Sequence, residues 1–411
     1  MKLKQIRVDG YKNLIDCKVD LGDFNVLVGA NNSGKSNLLE AIQMLGALWF
    51  GDQEILDAVF DGMTPPDRLG TSICHLEKHR CKPMTFGVLF ELYVKKKVWI
   101  VTYNVTVQLT DPNKKSTGFI SEVLTAKQPS TPGPAKTYIS RKKKKLEVCG
   151  KSHPIGEKKS AIMAIESLYP NFDGLPIELK AILETMTWIY AIRTNALSPA
   201  GIREDIDSEK PISAILISSF DILLAMDELQ KEGEHFDLLI QQLCEILDME
   251  DIHFRCEDLS VTKDATDSKG KVKRTRILAL KRAGCEYSFV EEYSDGTLIV
   301  IAMLTSLLSG RGGPLFCVEE LENCLHPAAI EKLLRFLQDH ADKWPVLITT
   351  HSSYLLNGVR PEDVNVAVVD KTGATHFENV ENTKQLRDYL NKGLMNFGDL
   401  LVRDFEGYRE K

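Results

Sequence analysis

Gly29-Ala30-Asn31-Asn32-Ser33-Gly34-Lys35-Ser36 decides the fold of this 411-residue chain. Its spacing, G-x-x-x-x-G-K-S, suits a loop that wraps a phosphate chain. The glycines permit close backbone approach, and consecutive N–H groups point inward. Lys35 is placed to reach the outer phosphates of a nucleoside triphosphate, and the Ser36 hydroxyl is a ligand type for Mg²⁺. The flanks agree. Phe24-Asn-Val-Leu-Val28 is an apolar run of buried-strand type, and Asn37-Leu-Leu-Glu-Ala-Ile42 reads as a helix. Strand, glycine loop and helix in that order bring a helix N-terminus to the anion. Asn31, Asn32, Ser33 and Asn37 join Gly29, Gly34, Lys35 and Ser36 as the candidate nucleotide-binding set.

Composition bounds what surrounds this loop. Apolar residues make up 43% and charged residues 27%, as in an ordinary globular protein, and the length allows two or three domains or one core with a large insertion. A net charge of -7 means that any nucleic-acid surface has to be a local patch. No apolar run approaches membrane-spanning length, and Met1-Lys-Leu-Lys-Gln5 lacks a signal-peptide core, so a cytoplasmic protein without membrane contact is expected. The nine cysteines show no paired framework and read as free thiols. Cys74, His75, His79 and Cys81 are metal-capable, but their spacing matches no familiar zinc arrangement, and a polar loop is the expectation there.

Along the chain, Ile6-Arg-Val8 and Cys17-Lys-Val19 look like strands on either side of the turn-like Asp9-Gly10. Strand-like sequence runs from about Phe86 to Leu109, and Gln128–Ala135 has loop composition ahead of the basic run Arg141–Lys145. From about Ile212 to Met249 the apolar spacing is helical, with Ile215, Leu216, Phe220, Leu223 and Leu224 on one face and a second helix near Phe236–Leu247. The last third alternates: strand Arg276–Leu280, helix Thr297–Leu308, strand Pro314–Val318, helix Pro327 to about His340, strands Val346–Thr350 and Val364–Val369. That alternation predicts an α/β sheet of mostly parallel order. The expected division is an N-terminal part with the phosphate loop (1–48), a β-rich part with a variable insertion (49–210), a helical insertion (211–255), the other part of the same domain (256–380) and a tail (381–411).

Three further elements narrow the chemistry. Leu315-Phe-Cys-Val-Glu-Glu320 is an apolar strand delivering two adjacent carboxylates; Glu319 suits the Mg²⁺ shell and Glu320 the polarisation of an attacking water. Tyr293-Ser294-Asp295-Gly296-Thr297 opens an apolar helix with a hydroxyl, an acid and a glycine, presenting free N–H groups and a positive dipole end. Thr349-Thr350-His351-Ser352 follows a buried strand, where His351 can contact a γ-phosphate or the attacking water.

This order of motifs, with Glu322-Asn-Cys-Leu-His-Pro327 after the paired acids, resembles the ATP-binding-cassette class, and within it the RecF and OLD-type ATPases: a head like that of structural-maintenance-of-chromosomes proteins without the coiled coil. The resemblance covers about residues 1–48 and 285–370. It implies an α/β fold of ABC-head type, a mixed sheet with the phosphate loop and an antiparallel β part, carrying a helical insertion. Ser294, Asp295, Gly296 and Thr297 match the family's signature motif, Glu319 and Glu320 its metal-binding and catalytic acids, Asn323–Pro327 its partner-contacting segment and His351 its switch histidine. The family usually has aspartate where this chain has Glu319, and Gln108 is the candidate for its Q-loop glutamine. The resemblance implies ATP and Mg²⁺ as cofactors, slow ATP hydrolysis, and a homodimer or higher homo-oligomer in which each ATP lies between Gly29–Ser36 of one subunit and Ser294–Thr297 of the other.

Two absences narrow it further. No long heptad run marks a full chromosome-maintenance protein, and the sequence past the last predicted strand is too short for the TOPRIM nuclease that follows the ATPase in OLD-type proteins. The expectation is a separate effector polypeptide, as in two-component antiphage systems such as PARIS and Septu. A RecF-like DNA-binding ATPase of repair and a nucleotide-dependent module with little hydrolysis remain the alternatives. The basic runs Arg141–Lys145 and Lys271–Arg276 suit a phosphate backbone, an acidic partner surface or plain solvation.

Overall fold

The computed structural model describes residues 1–50, 82–111, 116–186, 222–249, 252–260, 274–281, 284–289, 293–309 and 315–380. The chain forms two compact units: Met1–Thr194 with Gly313–Glu319 and His340–Lys411, and Asn195–Gly312 with Glu320–Asp339.

Two sheets build the first unit. The smaller takes β3 (Phe24–Val28), β13 (Phe316–Val318), β14 (Val346–Thr350), β15 (Val364–Val369) and β16 (Thr375–Asn379), in the order β13-β14-β3-β15-β16. The first four are parallel, and β16 turns back antiparallel against β15. Every residue of β3, β13 and β14 is buried, which is why their sequences are mostly apolar and do not alternate. The register places Val28 of β3 opposite Thr350, and Val26 opposite Ile348, which itself faces Val318. The chain ends of three separate segments therefore emerge side by side at the carboxyl edge of the sheet.

The larger sheet is antiparallel, in the order β2-β1-β4-β5-β6-β7-β8-β9, from β1 (Lys2–Asp9), β2 (Cys17–Asp20), β4 (Met84–Val94), β5 (Lys97–Asp111), β6 (Ser116–Lys127), β7 (Lys136–Lys142), β8 (Lys145–Val148) and β9 (Lys151–Pro154). Phe86, Val88 and Phe90 of β4 and Val101, Tyr103 and Val105 of β5 alternate inward, the period-2 pattern of a sheet with one core face. Helix α1 (Lys35–Phe50) packs on β1 and β4, and its Trp49 meets Tyr103 edge-on, ring centroids 4.7 Å apart. Two further helices, α2 (Ala161–Leu168) and α3 (Ile177–Met186), lie within 49–210, the stretch expected to be β-rich with a variable insertion. Ser160 caps α2, its hydroxyl accepting from the Met163 amide at 3.2 Å and donating to the Trp49 carbonyl at 3.2 Å.

The second unit holds α4 (Ile222–Glu232), α5 (Glu234–Leu247), the strands β10 (His253–Ser260), β11 (Arg274–Lys281) and β12 (Ser288–Phe289), then α6 (Asp295–Leu308) and α7 (Pro327–Asp339). α6 is apolar all round and buried from Gly296 to Leu308, with α4 and α5 packed against it. α7 packs on α5, where Lys332 donates to the Glu245 carbonyl at 2.7 Å near the helix C-terminus. A short helix, α8 (Ser353–Asn357), follows β14 in the first unit. Among the described residues no helix is long and apolar enough to cross a membrane. The first part of the predicted helical stretch, Ile212–Phe220, the Cys74–Cys81 cluster and the tail 381–411 lie outside the described residues.

Candidate nucleotide site

The loop between β3 and α1 has the backbone that an anion cradle requires. Asn32 and Gly34 take positive φ, 63° and 95°, and the helix opens at Lys35. Gly29 is irreplaceable for a steric reason: a Cβ there would sit 2.7 Å from Ser33 Oγ and 2.9 Å from the Ala367 carbonyl. Lys35 is 5% exposed and folds back over the loop, donating to the carbonyls of Gly29 at 2.9 Å and Ala30 at 3.1 Å. Asn31, Asn32 and Ser36 are exposed, Asn37 half-buried. Ser33 is buried, and its hydroxyl finds no hydrogen-bond partner among the described residues. A buried orphan donor inside a glycine cradle fits an oxyanion better than it fits an apolar filler.

The sheet brings the acid and the histidine to this loop. Glu319 follows β13, and the Ser36 hydroxyl donates to its Oε1. The extra methylene relative to aspartate thus still lets the carboxylate reach the serine. Hydroxyl and carboxylate together form a hard-oxygen pair suited to Mg²⁺, so the residues present fit the cofactors that the motif implies. His351 is the first residue after β14 and, by the register of Thr350 with Val28, emerges level with Gly29. Behind it, the Ser352 amide donates to Thr350 Oγ1 at 2.9 Å and the Ser352 hydroxyl caps α8. Cys317, buried in β13, has its thiol pushed up by burial, which marks it as packing and not as a nucleophile.

The other candidate residues singled out from the sequence, Ser294 to Thr297 and Glu320, belong to the second compact unit. Ser294 caps α6: its hydroxyl lies 2.9 Å from Thr297 Oγ1 and accepts from the Thr297 amide at 3.3 Å. Ser294 and Asp295 are exposed, whereas Gly296 and Thr297 are buried, so this otherwise enclosed helix opens to solvent at its N-terminus. Glu320 adopts a left-handed backbone, φ 49° and ψ 59°, as it enters the turn Leu321–Cys324. Such a conformation costs a residue with a Cβ about 1–2 kcal/mol and concentrates at functional sites. His326 stands at the start of α7, where its Nδ1 accepts from the Ala328 amide at 3.3 Å and its carbonyl from the amides of Ala329 and Ile330.

Other expectations fall differently. Arg141 is not part of a solvated basic run: it is fully buried in an ion pair with Glu122 on the neighbouring strand, because the β6–β7 register sets the two opposite one another. Lys142 to Lys145 are exposed. Lys271 to Lys273 lie outside the described residues, and Gln108 is an exposed residue of β5. No group of three metal-ligating side chains occurs among the described residues. Sequence reasoning passed over Asn13 and Thr375, which pack behind the loop and carry no local motif.

Residues 1–186 match the model of a family described as "AAA ATPase domain", and residues 227–357 one described as "AAA domain, putative AbiEii toxin, Type IV TA system". No curated protein matches the chain. Among solved structures, the chain is similar to an SMC head bound to the C-terminal winged-helix domain of ScpA, at 12% identity and a TM-score of 0.56, covering 94% of this chain and 100% of that one. An SMC head domain from Thermotoga maritima aligns at 14% identity and TM-score 0.45 over 92% and 99% of the two chains. One from Pyrococcus furiosus, carrying an extended coiled coil and bound to the C-terminal domain of ScpA, aligns at 10% and 0.47 over 95% and 99%. At such identities the first of these speaks to fold alone. The mixed and antiparallel sheets around a phosphate loop are those of an ABC-type ATPase head, and the matches support assignment to the P-loop ATPase class.

Proposed function

We propose that this chain is a Mg²⁺-dependent ATPase that dimerises around ATP and passes the resulting conformational change to a separate effector, in antiphage defence. The observation that carries the reading is the convergence of the Ser36 hydroxyl and the Glu319 carboxylate beside the phosphate loop. In this reading the loop amides from Gly29 to Ser36 and the Lys35 ammonium hold the phosphates, and Asn31, Asn32 and Asn37 line the approach. Ser36 and Glu319 hold the metal, which when bound supplies positive charge to the phosphate oxygens. Glu320 takes the proton of the attacking water, and His351 orients the outer phosphate. The exposed N-terminus of α6, with Ser294 and Asp295 outward, is offered to the nucleotide of a second subunit. An effector on a separate polypeptide is supported by the toxin–antitoxin description of the model matching residues 227–357 and by the partner-bound state of the SMC head of similar fold.

Light scattering with and without ATP and Mg²⁺ tests the proposal. Glu320→Gln keeps the binding groups and loses the proton acceptor, so it is expected to accumulate as a dimer with ATP while turnover falls by about 10²-fold or more. A variant that stays monomeric with ATP bound would overturn the dimerising switch. The RecF-like alternative draws on Lys142 to Lys145, four exposed ammonium groups in succession on the β7–β8 hairpin. Salt-dependent duplex binding that disappears when those lysines are neutralised would favour it.

A further inference from the structure

Asn13 and Thr375 take no part in the chemistry above, yet they hold the phosphate loop from behind. Thr375, the first residue of β16, is fully buried and donates from Oγ1 to the Ser33 carbonyl at 2.9 Å. The same Oγ1 accepts from Asn13 Nδ2 at 2.8 Å, and Asn13 Oδ1 accepts from Nδ2 of Asn37 on α1 at 2.6 Å. The Thr375 amide closes the circuit on the Asn13 carbonyl at 2.9 Å. Four hydrogen bonds therefore tie the turn after β1, the start of β16, the loop and the first turn of α1 into one unit. The Thr375 hydroxyl is both donor and acceptor in it, a combination that serine reproduces and valine cannot.

Packing points the same way. A Cβ on Gly34 would lie 2.6 Å from Thr375 Oγ1 and 3.1 Å from Asn13 Oδ1, so the pair abuts the loop at its left-handed glycine. Sparsely populated backbone conformations, as at Asn32 and Gly34, persist where their surroundings over-determine them. A loop already fixed in its binding shape also gives up less entropy to the ligand.

We propose that Asn13 and Thr375 are positioning residues that set the anion-binding shape of the phosphate loop before nucleotide arrives. This rests on the reading of Gly29–Ser36 as a nucleotide site, and the test separates the two. In the full-length, nucleotide-free protein, amide exchange across residues 29–37 is measured for wild type, Thr375→Val, Thr375→Ser and Asn13→Ala, followed by titration with a fluorescent ATP analogue and Mg²⁺. Thr375→Val and Asn13→Ala are each expected to speed loop exchange and weaken nucleotide binding about tenfold or more, because each removes two hydrogen bonds of the circuit. Thr375→Ser stays within about threefold of wild type on both measures, since its hydroxyl preserves the circuit. The double variant costs less than the two single losses added together, because the Asn13–Thr375 bond is lost in each of them. Val148→Ala, in β8 across the larger sheet, lowers the melting temperature and leaves both readouts alone. Wild-type exchange and affinity in Thr375→Val, or equal shifts in Val148→Ala, overturn the proposal. A wild-type protein that binds no nucleotide sinks the site reading instead, while exchange still decides the positioning role. Should Thr375→Val fail to fold, Asn13→Asp carries the same test: it keeps the acceptor for Asn37 and loses the donor to Thr375.

Discussion

Arg141→Met should be among the most damaging single changes outside the nucleotide loop. The Arg141 guanidinium donates to Glu122 at 2.8 Å and to the carbonyls of Lys159 at 2.7 Å, Gly156 at 2.8 Å, Glu157 at 3.3 Å and Lys143 at 3.0 Å. It also covers the Phe119 ring, 5.0 Å from its centroid. Glu122 in turn accepts from the Ala161 amide at 2.8 Å and the Tyr103 hydroxyl at 3.3 Å, and both charged side chains are fully buried. At an effective dielectric of about 20 the pair attracts by about 6 kcal/mol, most of which offsets the desolvation of two charges. Removing the cation alone leaves that desolvation uncompensated, so the expected loss is about 3–5 kcal/mol. For a unit of this size that lowers the melting temperature by about 6–20 °C.

The sign of the pH dependence follows from Glu122. Burial pushes its carboxyl above the usual range, and Arg141 pulls it back. With Arg141 present the carboxyl is already raised; without the arginine the upward push is larger still, so the folded state keeps its proton to a higher pH than in wild type, after the unfolded chain has released it. The deficit is therefore smallest below the unfolded value of about 4.3 and grows as pH rises toward the raised folded value. Urea unfolding of Arg141→Met should show a wider gap from wild type at pH 8 than at pH 5, and Glu122→Gln/Arg141→Met should recover at least half of the loss. A cost under about 1 kcal/mol for the single variant, or a double variant no better than it, would refute the reasoning.

Gly34→Ala combines a left-handed backbone, about 1–2 kcal/mol for alanine, with a Cβ 2.6 Å from Thr375 Oγ1. It should weaken ATP binding at least tenfold by titration; wild-type affinity would contradict the close approach. Asp370→Asn tests the β15–β16 turn. The Thr372 hydroxyl above all, helped by His376 and the amides of Thr372 and Ala374, holds the Asp370 carboxyl well below the usual range. The carboxylate's contribution is thus present above about pH 4 and fades as pH falls further toward the folded value. The variant should melt below wild type at pH 7, with a gap that closes in acid; a constant gap would deny the assignment.

Much of the smaller sheet was legible because its strands are buried on both faces. Phe24–Val28, Phe316–Val318, Val346–Thr350 and Val364–Val369 carry that fact as mostly apolar runs without alternation, and the phosphate loop and paired acids attach to the ends of the first two. The meeting of Ser36 with Glu319, 283 residues later, follows from strand order and not from anything local to either residue. Arg141 misled because a run of basic residues reads as solvated, and only the β6–β7 register shows that its first member faces Glu122. Asn13 and Thr375 escaped for a different reason. Each is a small polar residue in an ordinary turn or strand start, and their shared hydrogen bond spans 362 positions, beyond the reach of any periodicity.

The span between Ser33 and Thr375, 342 residues, also has a consequence for the order of events on the ribosome. At about 5–20 residues per second, some tens of seconds separate synthesis of the glycine loop from synthesis of the threonine that fixes it. Through most of that interval β3 has neither β14 nor β15 beside it, since both are encoded far downstream. The nascent chain thus displays the phosphate-loop sequence long before it owns a phosphate site, and competence for nucleotide arrives late and all at once.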